Sequence, residues 1–208
     1  MPPSGCRKRA RSAQTTPSSC SEASARWVVL LRGINVGGCN VLPMRELTKT
    51  LEAAGCANVS TYIQSGNVVL QREASDASEV AAVVSRAIQD GHSMSPTVMV
   101  LAASDLRAIA TENPYCEEAK ADPRSVHTYF LQTLPESPGL DKLARLKTAS
   151  ESFALVGRAL YLHTPGGFAR SKLAASVEKA IGVAATSRNA NTVSKLLEMS
   201  AIPSPVAS

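Results

Sequence analysis

The chain has 208 residues, 44% of them apolar and 19% charged, as in an ordinary soluble protein with one large domain or two small ones. No apolar run reaches the about 18 residues that a membrane helix needs, and five widely spaced cysteines with no C-x-x-C or Cys/His cluster argue against a disulfide framework or zinc site. The formal charge of +5 sits mostly in residues 1–25, where Arg7, Lys8, Arg9 and Arg11 face Glu22 alone, so the rest is near neutral and overall charge does not argue for nucleic acid.

Residues 1–25 are rich in Ser, Pro and Arg, which predicts a disordered tail. The same composition suits an organelle transit peptide or a nuclear signal. The absence of a secretory signal otherwise predicts a cytoplasmic, reducing environment. Trp27 to Leu31 is a continuous apolar run, the mark of a strand buried on both faces, so its open face needs a cover from another unit or a terminal helix. Pro43 opens a helix whose face is Met44, Leu47, Leu51 and Ala54, ended by Gly55. Val59, Thr61 and Ile63 alternate as a strand, Ser65-Gly66 turns, and Asn67 to Gln71 returns. Asp76 with Glu79 marks a helix start before Val80, Val83, Val84, Ala87 and Ile88. Thr97 to Leu101 closes a β-α-β-β-α-β unit of the ferredoxin-like kind over residues 26–104.

A connecting helix and loop occupy 105–124, with Glu117-Glu118 as a solvated loop or helix end. The order then repeats over 125–201: strand Val126 to Leu131, a helix with Leu140 and Leu143, and strands Phe153 to Val156 and Leu160 to His163. A helix with Leu173, Val177 and Ile181 follows, then a short strand near Ala184 to Ser187 and a C-terminal helix. Residues 202–208 read as a second disordered tail. The expected fold is α+β, two tandem ferredoxin-like units with antiparallel sheets, with internal duplication suggested by element order alone.

Val29 to Gly38, the Pro43-Met44 helix start and Thr61 to Val69 together resemble the domain of unknown function 1697 family. Asn113-Pro114, Ser171-Lys172-Leu173 and Thr186 to Thr192 fit as well, so the likeness spans about residues 26–200. It implies the same two-part architecture and no established activity or cofactor. The chain departs from the family pattern at Cys39, where members often carry Lys, and at Ala190, where they usually carry Trp. The first change weakens any claim of a phosphate-binding lysine; the second removes an aromatic able to stack.

In a ferredoxin-like unit the first strand ends at the same edge as the turn between the second and third. Arg32 to Asn40 and Gln64 to Asn67 should therefore meet, with Gly91 to Pro96, including His92, entering from that edge. Glycine and asparagine there either serve tight turns or let a ligand approach backbone N–H groups. The candidate binding residues are Arg32, Gly33, Asn35, Gly37, Gly38, Asn40, Gln64, Ser65 and Asn67, with Arg188, Asn189 and Asn191 secondary. Asn191 doubles as a reasonable N-cap of the last helix. His92, His127 and His163 have no metal spacing, and His127 reads as a buried, satisfied histidine.

No nucleophile, acid or base stands out, so no catalytic residue, metal or cofactor is assigned. The leading expectation is a small anionic or nucleotide-like ligand at this loop edge. RNA binding on a sheet face ranks second, limited by an aromatic content of 4%. A protein interaction module is third.

Overall fold

In a computed structural model, which describes residues 25–35, 40–74 and 76–201, strands and helices alternate in two successive sets. The first runs β1 (Ala25–Arg32), α1 (Met44–Ala53), β2 (Ala57–Tyr62), β3 (Asn67–Arg72), α2 (Ala77–His92) and β4 (Thr97–Ala102). Its sheet is antiparallel in the order β2-β3-β1-β4. After α3 (Ala103–Thr111) and α4 (Cys116–Ala121) the second set follows. It comprises β5 (Val126–Leu131), α5 (Leu140–Leu146), β6 (Ser152–Val156), β7 (Ala159–His163), α6 (Lys172–Ile181) and β8 (Ala185–Asn189). Its sheet repeats the arrangement as β6-β7-β5-β8, and α7 (Ala190–Ala201) ends the described chain. The fold is α+β with two ferredoxin-like sheets. The tail segments 1–24 and 202–208 lie outside the described residues, as do Gly37, Gly38 and Cys39.

Side-chain caps set the starts of α2, α6 and α7. Asp76 caps α2 by accepting from Ser78 N at 2.8 Å and Glu79 N at 3.0 Å. Ser171 Oγ caps α6 by accepting from Ala174 N at 3.0 Å. Two expectations need correction, at Ile63 and at the last helix cap. Ile63 is not a strand residue but opens the hairpin turn with φ 48°. The Glu117-Glu118 pair lies in the first turn of α4, a solvated helix end as expected, and the six residues of that helix include no buried side chain and so carry no apolar period. The last helix starts at Ala190, so its cap is Asn189, whose Oδ1 accepts from Thr192 N and Oγ1, both at 3.0 Å; Asn191 is already inside it.

Strand alternation then assigns the core. Trp27, Val29 and Leu31 face α1 and α2 with Leu47, Leu51, Val80 and Val84. Tyr129 and Leu131 face α6 with Leu173 and Val177, with Leu143 of α5 in the same cluster. The opposite faces meet in a third cluster in which Val28, Leu30, Val69 and Leu101 of one sheet join Phe130 of the other through Leu106, Val193 and Leu196. Helices α3 and α7 thus lie between the sheets, giving β1 the cover its apolar run demanded. Tyr161 adds a polar tie, its hydroxyl donating to Ile109 O at 2.6 Å. The central strands β1, β3, β5 and β7 are covered on both faces, while the edge strands β2 and β6 stay partly exposed. His127 departs from expectation too: it is half-buried, its ring stacks on Phe168 at 3.9 Å, and its buried Nδ1 has no hydrogen-bond partner.

Candidate functional site

The end of β1 and the turn between β2 and β3 meet, as their topology requires. Leu31 N donates to Gly66 O at 2.8 Å, and Gly66 has φ 70°. A Cβ on Gly66 would come within 2.6 Å of Leu31 Cβ and 2.9 Å of Ile34 Cδ1, so only glycine fits this approach. Asn35, itself at φ 52°, wires the two loops together: its Nδ2 donates to Leu42 O at 2.9 Å and Gln64 O at 2.8 Å, and its Oδ1 accepts from Leu42 N at 2.7 Å. Asn40 Nδ2 donates to Gly33 O at 2.8 Å. The amides of these two asparagines are spent on loop backbone, and Gln64 contributes its carbonyl to the same frame. The third loop enters β4 at this edge, where Thr97 pairs with Arg32, but its histidine is engaged elsewhere. His92 closes α2 and its Nε2 pairs with Thr50 Oγ1 of α1 at 2.8 Å.

What the first half presents at this edge faces the second half across a cleft of about 420 Å³. Arg32, Gly33, Ile34 and Ser65 line one side; Phe168, Ser171, Glu178, Thr186, Ser187 and Arg188 line the other. The volume lies in the range of small-molecule sites. Arg188, on β8, crosses between the halves. Its Nε donates to Asn67 Oδ1 at 2.5 Å, and Nη1 to Thr186 Oγ1 and Ser187 O at 2.8 Å each. Nη2 donates to Leu31 O at 2.9 Å and Ser65 O at 3.1 Å. Each of the five N–H groups therefore has an acceptor, and none of these acceptors is a carboxylate. Burial pushes the Arg188 pKa down to about 10, which leaves it charged at neutral pH.

Asn67 is fully buried and holds this cation, with its Nδ2 donating to Tyr62 O and Ser65 Oγ at 3.2 Å each. Two cleft hydroxyls already accept from the protein: Ser65 from Asn67 and Thr186 from Arg188. Each keeps a proton to donate, so the cleft meets a ligand with O–H donors beside a buried positive charge. Ser171 differs. Burial pushes the Glu151 carboxyl up, but hydrogen bonds from Ser171 and Thr148 outweigh that and leave it below its ordinary value. Tyr129 is similarly committed, its hydroxyl donating to Ala174 O at 2.9 Å and its pKa raised by burial and the nearby Glu178 charge.

Arg32 reaches across to α6, where its Nη1 and Nη2 meet the two carboxylate oxygens of Glu178, the second at 2.7 Å. The pair is half exposed, at 44% and 39% of the two side chains. Of the secondary candidates, Arg188 lines the cleft. Asn189 caps α7, and Asn191 lies in a separate hollow between α4 and α7. Thr186, Glu178, Ser171 and Phe168 were not foreseen, because the sequence does not say how the halves pack. The available signal was Arg188 itself, a lone cation in a strand beside Thr186 and Ser187. Among the described residues no three His, Cys, Asp or Glu gather as a metal-holding group, and no helix is long and apolar enough to cross a membrane.

A family model described as "Protein of unknown function (DUF1697)" matches residues 25–161. Among solved structures, the conserved bacterial protein SP0830 from Streptococcus pneumoniae is similar with a TM-score of 0.66 and 22% identity, covering 86% of this chain and 99% of that one. At such identity the likeness is one of fold. No curated protein matches.

Proposed function

The chain belongs to the DUF1697 family of proteins of unknown function, and from that premise we propose that the cleft between its halves binds a small anionic molecule. The observation that carries this reading is the buried Arg188 charge, bonded only to neutral oxygens beside the free O–H donors of Ser65 and Thr186. A buried cation without a counter-ion is expensive. An anion in the cleft would relieve that cost through the field of Arg188, while the two hydroxyls supply the hydrogen bonds that the saturated guanidinium cannot. Gly33 and Ile34 lie at the same wall. Asn35, Asn40 and Asn67 act in this reading as the frame that holds the wall in place.

The interaction-module alternative has less support. The large exposed apolar side chains among the described residues are Val41, Ile63, Leu134 and Val156, and only the first two belong to neighbouring loops.

The test is a calorimetric titration of the full chain with inorganic phosphate, small carboxylates and mononucleotides, beside Ser65→Ala. That substitution removes one cleft donor and leaves Asn67 Nδ2 its bond to Tyr62 O. At least one anion should bind, and Ser65→Ala should weaken it about tenfold, the worth of a hydrogen bond to a charged group of about 1.5 kcal/mol or more. Absence of binding by every anion would sink the reading.

A further inference from the structure

We infer that the anion suited to this cleft is a carboxylate carried on an apolar body, and that Glu178 occupies its place on Arg32 until it arrives. The inference rests on the cleft reading above and adds the class of ligand and its resident competitor. Arg32 ends β1 and Glu178 projects from α6, so their two-point pair spans the cleft from one half to the other. A guanidinium fork meets a carboxylate through two parallel N–H···O bonds. The protein therefore already holds, at the cleft wall, the bonded geometry that a ligand carboxylate would adopt.

Charge decides between carboxylate and phosphate. The cleft lining carries two cations, Arg32 and Arg188, against the single carboxylate of Glu178. A monoanion that takes Arg32 from Glu178 brings the three groups to neutrality. A phosphate dianion leaves an extra negative charge beside the displaced Glu178. The exchange is also cheap, because exposed ion pairs are weak in water and this one is half exposed. The rest of the lining fits an apolar body, with Leu31, Ile34, Phe168, Ala174 and Ala185 around the polar groups.

Phenylacetate, phenylacetamide and phenyl phosphate share one ring and differ in charge. Each is titrated into the full chain, into Glu178→Gln, which keeps the shape and removes the charge, and into Arg32→Gln, with thermal unfolding confirming that both variants fold. Phenylacetate should bind the unmutated protein best and the amide least. Glu178→Gln should tighten phenylacetate by about two- to fivefold, the range an exposed ion pair supports, and Arg32→Gln, which removes the fork, should weaken it by at least that factor. A merely structural pair predicts no gain in affinity on loss of Glu178, so an unchanged or weaker Glu178→Gln overturns the inference. Preference for phenyl phosphate also overturns it while leaving the anion cleft standing. Silence from every anion, in this series and in the wider panel, removes both.

Discussion

Two residues show how polar groups behave once this chain has folded. Arg188 is buried with every donor satisfied, so its cost is one of charge alone. His127 is the reverse case, with a buried Nδ1 that no protein group meets and a ring laid on Phe168. Burial pushes its pKa down from 6.5 to about 4. Between those values the unfolded chain binds a proton that the folded chain does not, so acidification favours unfolding. His127 therefore leaves stability unaffected above about pH 6.5 and lowers it progressively toward pH 4, by about 2 kcal/mol after allowance for the ring's partial exposure. Urea midpoints between pH 7.5 and 4.5 should fall more steeply for the unmutated protein than for His127→Phe, which keeps the stacking and cannot titrate. Parallel curves would remove His127 as the cause. The sequence placed this residue in an apolar strand correctly, but a satisfied histidine and an orphaned one look alike until the neighbouring Phe168 segment is in position.

At the scale of elements, legibility followed periodicity. The amphipathic helices α1, α2 and α6 were readable because each buries one repeating face, and the strands from Trp27 and from Val126 because their continuous apolar runs bury both. Helix α4 was not, since it buries none. Boundaries set by a single polar bond were hardest. Two asparagines flank Ala190, and only the geometry shows that Asn189 satisfies the first turn of α7. Asn189→Ala should cost about 1 kcal/mol in chemical denaturation, whereas Asn191→Ala should stay within about 0.5 kcal/mol. Equal effects would contradict the assignment. The turn at Ile63 was missed for a related reason. A β-branched residue is ordinarily a strand former, and its left-handed φ of 48° is imposed by the Gln64 to Gly66 turn rather than by its own preference.

For the molecule as a whole, the candidate site was half legible. Arg32 and Ser65 could be paired from topology, since both lie at one edge of one unit. Glu178 and Arg188 meet them from 146 and 157 residues away along the chain, through Arg32 and Leu31 respectively, and no periodicity encodes such an encounter. The two sheets share the cluster around Leu106, Val193 and Leu196, so they should unfold as one. Fluorescence of Trp27, the only tryptophan and a residue of the first sheet, should change with the same midpoint as far-ultraviolet circular dichroism. Separate midpoints would mean that the halves are independent. The position of α7 has a further consequence for biosynthesis. This helix is made after both sheets, yet Val28, Leu30 and Val69 of the first depend on it for cover. A nascent chain therefore carries the part of this oily surface that α3 leaves open through the synthesis of the entire second half. Such an intermediate invites chaperones or aggregation, and a premature stop before Ala190 would make that exposure permanent.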